Sequence, residues 1–135
     1  MNYKVWGVCN IYPTAKIGDG VNIGWFSEIG DGVEIGHNTR IGAFAFIPSG
    51  VTIGWNCFIG PRVTFTNDRF PPSPKEAWEK TIVEDGARIG AGCTILCGIT
   101  IGAGALIGAG STVTKDVPPG ECWCGNPARK MEVKK

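Results

Sequence analysis

The sequence lacks an excess of charge of either sign, because thirteen lysines and arginines stand against twelve acidic residues, for a net charge of +1. This balance gives no support to a role on nucleic acid or at a membrane surface. No stretch approaches the roughly 18 uninterrupted apolar residues of a membrane span, and the N-terminal MNYKVWGVCN has no apolar run bounded by a cleavage site. We therefore expect a soluble cytoplasmic protein.

Residues typical of metal sites are also scarce. The chain has one histidine, His37, whereas a carbonic-anhydrase-like zinc site between subunits needs three histidine ligands. The six cysteines include no CxxC pair, and without a secretory signal they do not indicate a disulfide framework. Cys9, Cys57 and Cys93 each stand two residues before a regularly spaced isoleucine, so we expect small core residues there. No metal is expected.

What the sequence does have is a strict period of six. Isoleucine recurs at every sixth position from Ile11 to Ile59, Phe65 continues the series, and the series resumes from Val83 to Val113. Glycine usually follows these residues, which we call ladder positions. Neither an α-helix nor a two-residue alternation repeats in this way. The period is typical of a parallel β-helix, in which three short faces make one coil and the ladder residues of successive coils stack.

We predict an all-β protein with a single domain. Flat faces and open ends bury little surface, so small β-helices commonly need caps and partners. Trp6, Trp25 and Trp55 are consistent with faces buried against other copies, and we expect a homotrimer. The expected segments of the domain 1–135 are about five coils over residues 8–65 and 83–117, a protruding loop over 66–82 and a short C-terminal cap over 118–135.

Corner residues fall two places after each ladder position, and every third corner lies on the same edge of the prism. Ala91 and Ala109 should form a smooth groove along one edge, whereas Asn67 lies on another edge beside the loop. Only neighbouring subunits could bring the two together, so we expect sites between subunits. The three edges are the alanine edge (Trp25, Ala43, Pro61, Ala91, Ala109), the histidine edge (Asp19, His37, Trp55, Asp85, Ala103) and the asparagine edge (Asp31, Ser49, Asn67, Cys97).

The repeat and the stretch GCTILCGITIGAGALIGAGSTVTKDVPPGECWCGNPARKM resemble the left-handed β-helix, hexapeptide-repeat acyltransferases. The resemblance implies a left-handed coil and acetyl-CoA as co-substrate, with no metal required. Small residues on the alanine edge would leave backbone groups free for the pantetheine arm, and cations would meet the phosphates of the coenzyme. The coenzyme-binding positions that it implies are Ala91, Ala109, Thr114, Lys115, Arg129 and Lys130.

FTNDRFP followed by TILCGITIG and GNPAR is similar to the branch that acetylates amino groups on nucleotide-linked sugars, such as UDP-linked 3-amino uronates and dTDP-linked 3-amino-6-deoxy sugars. By that resemblance Asn67 lies next to the reacting centre, and the loop from Thr66 to Lys80 surrounds the sugar nucleotide. Arg69 could hold a carboxylate or diphosphate, and Phe70 could stack on a ring. Trp78 is expected to pin the loop to the coil.

The loop lacks a histidine, although similar enzymes that acetylate sugar hydroxyls place one in a threonine-x-histidine-proline setting where this chain reads TNDR. A hydroxyl needs a base to become nucleophilic, whereas an amine with a pKa of about 7.7 to 8.0 is partly neutral at pH 7. Asn67 would orient the amine, and Asp68 is a candidate proton acceptor. Backbone N–H groups near Cys97 and Gly98 are candidate oxyanion donors, which places Gly98 at the thioester end of the coenzyme.

We therefore expect an acetyl-CoA-dependent N-acetyltransferase that acts on an amino group of a nucleotide-linked amino sugar. Two alternatives stay open at this point. One is O-acetylation of a sugar or small-metabolite hydroxyl with His37 as base, since a histidine on a corner should be partly exposed and could act as a base if it faces the cleft. The other is a β-helix that serves as a non-catalytic scaffold.

Overall fold

The solenoid predicted from the period of six is present in the computed structural model, which describes residues 2–132. Its strands are short and end at the ladder residues, because each flat face has room for only a few extended residues between two corners. The strands are β1 Lys4–Val5, β2 Asn10–Ile11, β3 Lys16–Ile17, β4 Asn22–Ile23, β5 Glu28–Ile29, β6 Glu34–Ile35, β7 Arg40–Ile41, β8 Phe46–Ile47, β9 Val51–Ile53, β10 Phe58–Ile59, β11 Thr64–Phe65, β12 Thr81–Val83, β13 Arg88–Ile89, β14 Thr94–Ile95, β15 Thr100–Ile101, β16 Leu106–Ile107, β17 Thr112–Val113, β18 Cys122–Gly125 and β19 Ala128–Met131.

The strands form three sheets, one for each face of the prism. The first sheet contains β1, β4, β7, β10, β13, β16, β18 and β19, the second β2, β5, β8, β11, β14 and β17, and the third β3, β6, β9, β12 and β15. Neighbouring strands of the coils are parallel and in register: Lys4 pairs with Asn22, and Asn22 pairs with Arg40. One coil is therefore three hexapeptides long, which confirms the predicted parallel β-helix.

The interior is a stack of the ladder residues. Phe65 and the ladder isoleucines from Ile23 to Ile107 are almost completely excluded from solvent. Cys57 and Cys93 lie in the same core, where burial raises the pKa of both thiols, and Cys9 is half-buried. All six cysteines are free thiols. The expectation that cysteines fill small core positions is confirmed for Cys57 and Cys93.

The stack is taller than expected, with about seven turns where the sequence indicated about five. Ladder positions are recognisable in the sequence only from Ile11 to Val113, and the solenoid extends past both. β1 pairs below β4, and β18 pairs in parallel above β16. The chain then reverses, so that β18 and β19 form an antiparallel hairpin over the end of the stack. The hairpin lies within residues 118–135, where the sequence predicts a short C-terminal cap, and its strands do not follow the period of six.

The loop leaves the solenoid between Thr66 and Lys80, since β11 ends at Phe65 and β12 begins at Thr81. A single 3₁₀ turn, Lys75–Ala77, lies within it. At the base of the loop the Glu79 N–H donates to the Asn67 carbonyl at 2.8 Å. The two ends of the loop are thereby joined directly beside Asn67.

Candidate active site on the asparagine edge

The edges worked out from the sequence are present as columns of backbone hydrogen bonds. On the alanine edge the Gly110 N–H donates to the Ala91 carbonyl at 2.8 Å, and on the histidine edge the Asn56 N–H donates to the His37 carbonyl at 2.9 Å. Bonds of this kind join successive corners on these two edges, whereas on the asparagine edge the Asn67 side chain reaches the Ser49 carbonyl. Asn67 and His37, which are both candidate catalytic residues, therefore lie on different edges of the prism.

Asn67 is held by the coil below it. Its Nδ2 donates to the Ser49 carbonyl at 3.0 Å and lies 3.3 Å from the Ser49 hydroxyl oxygen. Both bonds use the amide nitrogen, so the carbonyl oxygen of the side chain is not engaged by either of them. The half-buried side chain thus has a fixed position, as a residue that orients a reacting group requires.

A pocket of about 360 Å³ opens beside Asn67, beneath the loop. The outer face of the second sheet forms its floor, and the loop supplies a wall through Lys75 and Trp78. Two carboxylates, Glu28 and Asp31, face the same space, where they would attract an ammonium group. The lining residues are Tyr12, Glu28, Gly30, Asp31, Phe46, Pro48, Ser49, Asn67, Lys75 and Trp78.

Sequence reasoning placed Asp31 on the asparagine edge but gave neither it nor Glu28 a role. The signal was available in part, because Asp31, Ser49 and Asn67 share one edge in successive coils. Glu28 and Phe46 are outward residues of paired strands in the second sheet. Their closeness to Asn67 follows from the register of the coils and not from any local motif.

Arg69 is engaged within the chain. Its Nε donates to Glu79 Oε2 at 2.6 Å. Its Nη2 donates to Glu79 Oε1 at 3.2 Å and to the Cys97 carbonyl at 2.7 Å. The hydrogen bonds from Arg69 hold the pKa of the Glu79 carboxyl below its usual range. The guanidinium that was expected to bind a substrate anion therefore fastens the loop to the next coil, and a substrate role for it stays a prediction.

The two other loop candidates differ in exposure. Asp68 is half-buried, and its Oδ2 accepts a hydrogen bond from the Ser73 N–H at 2.8 Å, so the carboxylate is turned toward the loop itself. Phe70 is 78% exposed, and its ring lies on the outside of the loop. The expected roles of Asp68 in proton transfer and of Phe70 in stacking are not tested by this arrangement and stay predictions.

His37 lies in a separate groove of about 430 Å³ on the histidine edge. Its Nδ1 accepts a hydrogen bond from the Asp19 N–H at 2.7 Å, and its ring meets the Trp55 ring edge-on at a centroid distance of 4.8 Å. A neutral imidazole with Nδ1 as acceptor carries its proton on Nε2. The Nδ1 lone pair is thus engaged by the backbone, and the role of His37 as a base stays a prediction.

The alanine edge offers an open path for an extended ligand. Ala91 and Ala109 are exposed, and a Cβ added at the following Gly92 or Gly110 would meet no atom within 4 Å. Gly98, also expected to serve the coenzyme, lies on the asparagine edge and donates its N–H to the Lys80 carbonyl at 3.0 Å. That N–H is used by the fold, and its expected role stays a prediction.

The predicted cations of the cap are not equivalent. Lys130 Nζ lies 3.5 Å from Glu121 Oε2 in the hairpin of β18 and β19. Lys115 and Arg129 are exposed and form no ion pair with any residue of 2–132, although Arg129 donates to the Ala128 carbonyl at 3.0 Å. Thr114 is half-buried beside Lys115. Two of the three predicted cations thus remain open to a phosphate.

The described residues hold neither a metal-binding cluster nor a membrane-spanning helix. No group of three or more histidine, cysteine, aspartate or glutamate side chains within 2–132 is placed to hold a metal ion. In the same part of the chain, no helix has the length and apolar character to cross a membrane.

Solved structures with the same fold include sugar-nucleotide enzymes. A mutant perosamine N-acetyltransferase from Caulobacter crescentus, in complex with CoA and GDP-perosamine, is 25% identical over 93% of this chain and 54% of its own, with a TM-score of 0.82. A mutant of AntD, an N-acyltransferase from Bacillus cereus, in complex with dTDP and coenzyme A, is 22% identical over 98% of this chain and 83% of its own, also at 0.82. The serine acetyltransferase of Neisseria gonorrhoeae is 29% identical over 92% and 41%, with a TM-score of 0.63.

The chain spans about half the length of several of these proteins, including the perosamine enzyme. No curated protein matches it significantly in sequence. The family profile described as bacterial transferase hexapeptide (six repeats) matches residues 14–49, 32–67 and 80–115, which is most of the repeat region on both sides of the loop. The chain belongs to the bacterial hexapeptide transferases.

Proposed function

We propose that the protein is an acetyl-CoA-dependent N-acetyltransferase that acts on an amino group of a nucleotide-linked amino sugar. The proposal rests on the residues of the pocket beneath the loop. The side chain held in a fixed position there is the Asn67 amide, and the single histidine of the chain, His37, lies on another edge. The likeness to a perosamine N-acetyltransferase in complex with CoA and GDP-perosamine, across 93% of this chain, supports the same class of acceptor.

An amine suits this site because it needs no protein base to become nucleophilic. The neutral amine nitrogen attacks the thioester carbonyl carbon, a C–N bond forms and the C–S bond breaks. The nitrogen gives up one proton and the leaving sulfur takes one, so the products are an amide and a thiol. Asn67 would orient the nitrogen, and Glu28 and Asp31 at the pocket would attract the ammonium form and take up its proton.

The alanine edge is the proposed path of the coenzyme. Ala91 and Ala109 are small and exposed, so a pantetheine arm can lie close to the backbone, and Lys115 and Arg129 lie beyond it with no carboxylate partner within 2–132. A diphosphate and a 3′-phosphate favour such cations. Lys130 would bind phosphate only by leaving Glu121.

A second copy of the chain is needed to complete the site, because the asparagine and alanine edges of one chain point in different directions. Pro61 and Asn67 are consecutive corners of the same coil, so in a parallel trimer the Asn67 of one subunit lies level with the Pro61 of the next. We propose a homotrimer with the reaction in the clefts between subunits. Its cysteines are all free thiols, which accords with a cytoplasmic location.

The test is thiol release from acetyl-CoA with a panel of UDP-, dTDP- and GDP-linked amino sugars. Each amino sugar is paired with the sugar nucleotide that carries a hydroxyl in place of the amine. We expect release with an amino acceptor only. Activity confined to the hydroxyl acceptors would overturn the proposal.

Two further measurements separate the alternatives. His37→Ala should leave turnover of the amino sugar within about threefold of the parent, whereas O-acetylation with His37 as base predicts almost complete loss of turnover with substrate binding retained. Calorimetry with coenzyme A tests the scaffold alternative. An absence of binding at millimolar coenzyme would show that the chain is not a coenzyme A-dependent enzyme.

A further inference from the structure

The lower half of the alanine edge carries a column of large side chains where the upper half has none. Phe26 and Phe44 stack with ring centroids 5.3 Å apart and planes inclined by 28°. The guanidinium carbon of Arg62 lies 4.7 Å from the centroid of the Phe44 ring. Phe26 and Phe44 are 55% and 46% exposed, so the stack lies on the surface. We call these three residues the aromatic column.

The backbone conformation of the column is costly for such residues. Phe26, Phe44 and Arg62 have φ angles of 59°, 60° and 61°, in the left-handed region that glycine and asparagine tolerate best. The equivalent positions higher on the same edge are Gly92 and Gly110, both at φ 72°. The same conformation recurs after the corners of the histidine edge, at Gly20, Asn38 and Gly104, so the turn of the solenoid imposes it. The aromatic column therefore places phenylalanine and arginine where glycine or asparagine usually stands.

We propose that the aromatic column binds the nucleoside diphosphate part of the acceptor, an inference that rests on the proposed function. The base would stack on the exposed ring of Phe44 or Phe26, since stacking on an aromatic side chain accepts any base. The diphosphate would lie against Arg62, which makes no ion pair with another residue of 2–132. A ring stack that ends in an unpaired cation matches a nucleotide better than it matches a purely apolar ligand.

The order of groups along the edge agrees with this assignment. Arg62 follows Pro61, and the Gly92 N–H donates to the Pro61 carbonyl at 2.9 Å, so the column continues directly into the groove of Ala91. Coils are about 4.8 Å apart. The base would lie one or two coils below Pro61 and the pantetheine arm above it. The amine and the thioester would then meet at the height of the neighbouring subunit's loop base, where the proposed chemistry takes place.

The test measures binding of dTDP, UDP and GDP, each alone, by calorimetry. Phe44→Asn keeps a residue that tolerates the left-handed backbone, and Arg62→Gln removes the charge and the guanidinium while keeping a polar side chain. Matched controls are Phe58→Asn and Arg88→Gln, an exposed phenylalanine on β10 and an exposed arginine on β13, neither of which belongs to the column. We expect each column variant to weaken the preferred nucleoside diphosphate at least about tenfold, with both controls and the affinity for coenzyme A within about twofold of the parent.

Three results would overturn the inference. They are unchanged nucleotide affinity in both column variants, no binding of any of the three nucleotides to the parent at millimolar concentration, and a fall in oligomeric state of the column variants in sedimentation, which would mean that the column contacts another copy. The proposed function fails on a different readout, since it requires coenzyme A binding and thiol release by the parent protein.

Discussion

Replacing Asn67 with alanine tests the centre of the proposed site. The amide nitrogen donates to the Ser49 carbonyl at 3.0 Å, with the Ser49 hydroxyl oxygen at 3.3 Å, so the change removes one well-formed bond and one longer contact. A neutral hydrogen bond contributes about 0.5 to 1.5 kcal/mol to the free energy of unfolding. We expect Asn67→Ala to lower that free energy by about 1 kcal/mol, because the backbone bond from Glu79 to Asn67 remains.

The loss in catalysis should be larger than the loss in stability. One lost bond to the amine raises the barrier by about 1 kcal/mol, which is a factor of about five. An acceptor misplaced by about 1 Å can lose a further factor of up to about 100. We expect kcat/KM for the amino sugar to fall by about 5- to 500-fold, with the KM for acetyl-CoA unchanged because the proposed coenzyme path lies on the alanine edge.

Thiol release measures the kinetic constants, and urea unfolding measures the stability. Asn22→Ala is the matched control, since the Asn22 side chain lies on β4 of the first sheet and only reaches the Gly20 carbonyl at 3.5 Å. The control should behave as the parent in both measurements. A variant Asn67→Ala with the parent's kcat/KM would refute the assignment of Asn67 to the reacting centre, and a loss of stability without a loss of rate would reduce its role to holding the loop.

Three other outcomes follow from packing and burial. Ala109→Trp should raise the KM for acetyl-CoA by at least about tenfold by filling the groove, and an unchanged KM would contradict the coenzyme path. Phe65→Ala should cost about 3 to 5 kcal/mol in urea unfolding and Phe65→Leu less than about 1.5, since Phe65 is completely buried. Burial raises the pKa of Cys57 and Cys93, so their contribution to stability should be intact below about pH 8.5 and decline as the pH rises above it, as the unfolded chain loses these protons first. A double alanine variant of the two cysteines should lack that alkaline decline.

The sequence repeat made most of the fold predictable, because every coil of a β-helix has the same local backbone structure. Each ladder isoleucine must face inward, and a period of six then dictates the pairing of strands and the identity of each edge. The assignment of His37 and Asn67 to different edges followed from this arithmetic and is confirmed by the hydrogen bonds at the corners. β18 and β19 escaped prediction because CWCG and ARKM do not follow the period, so no ladder position marks where the chain reverses.

The hydrogen-bond partners of side chains within the site were much less predictable from the sequence. They depend on the path by which irregular segments, such as the loop, come back to the solenoid. Arg69 is of the right type to bind an anion, but the loop brings Glu79 back to its guanidinium, and Lys130 meets Glu121 across the hairpin in the same way. Arg62, in contrast, belongs to no motif and stacks on Phe44 with no carboxylate partner within 2–132. The residues best placed to bind a phosphate are therefore the cations that the fold leaves unpaired, and only the folded chain distinguishes these from cations that hold a loop.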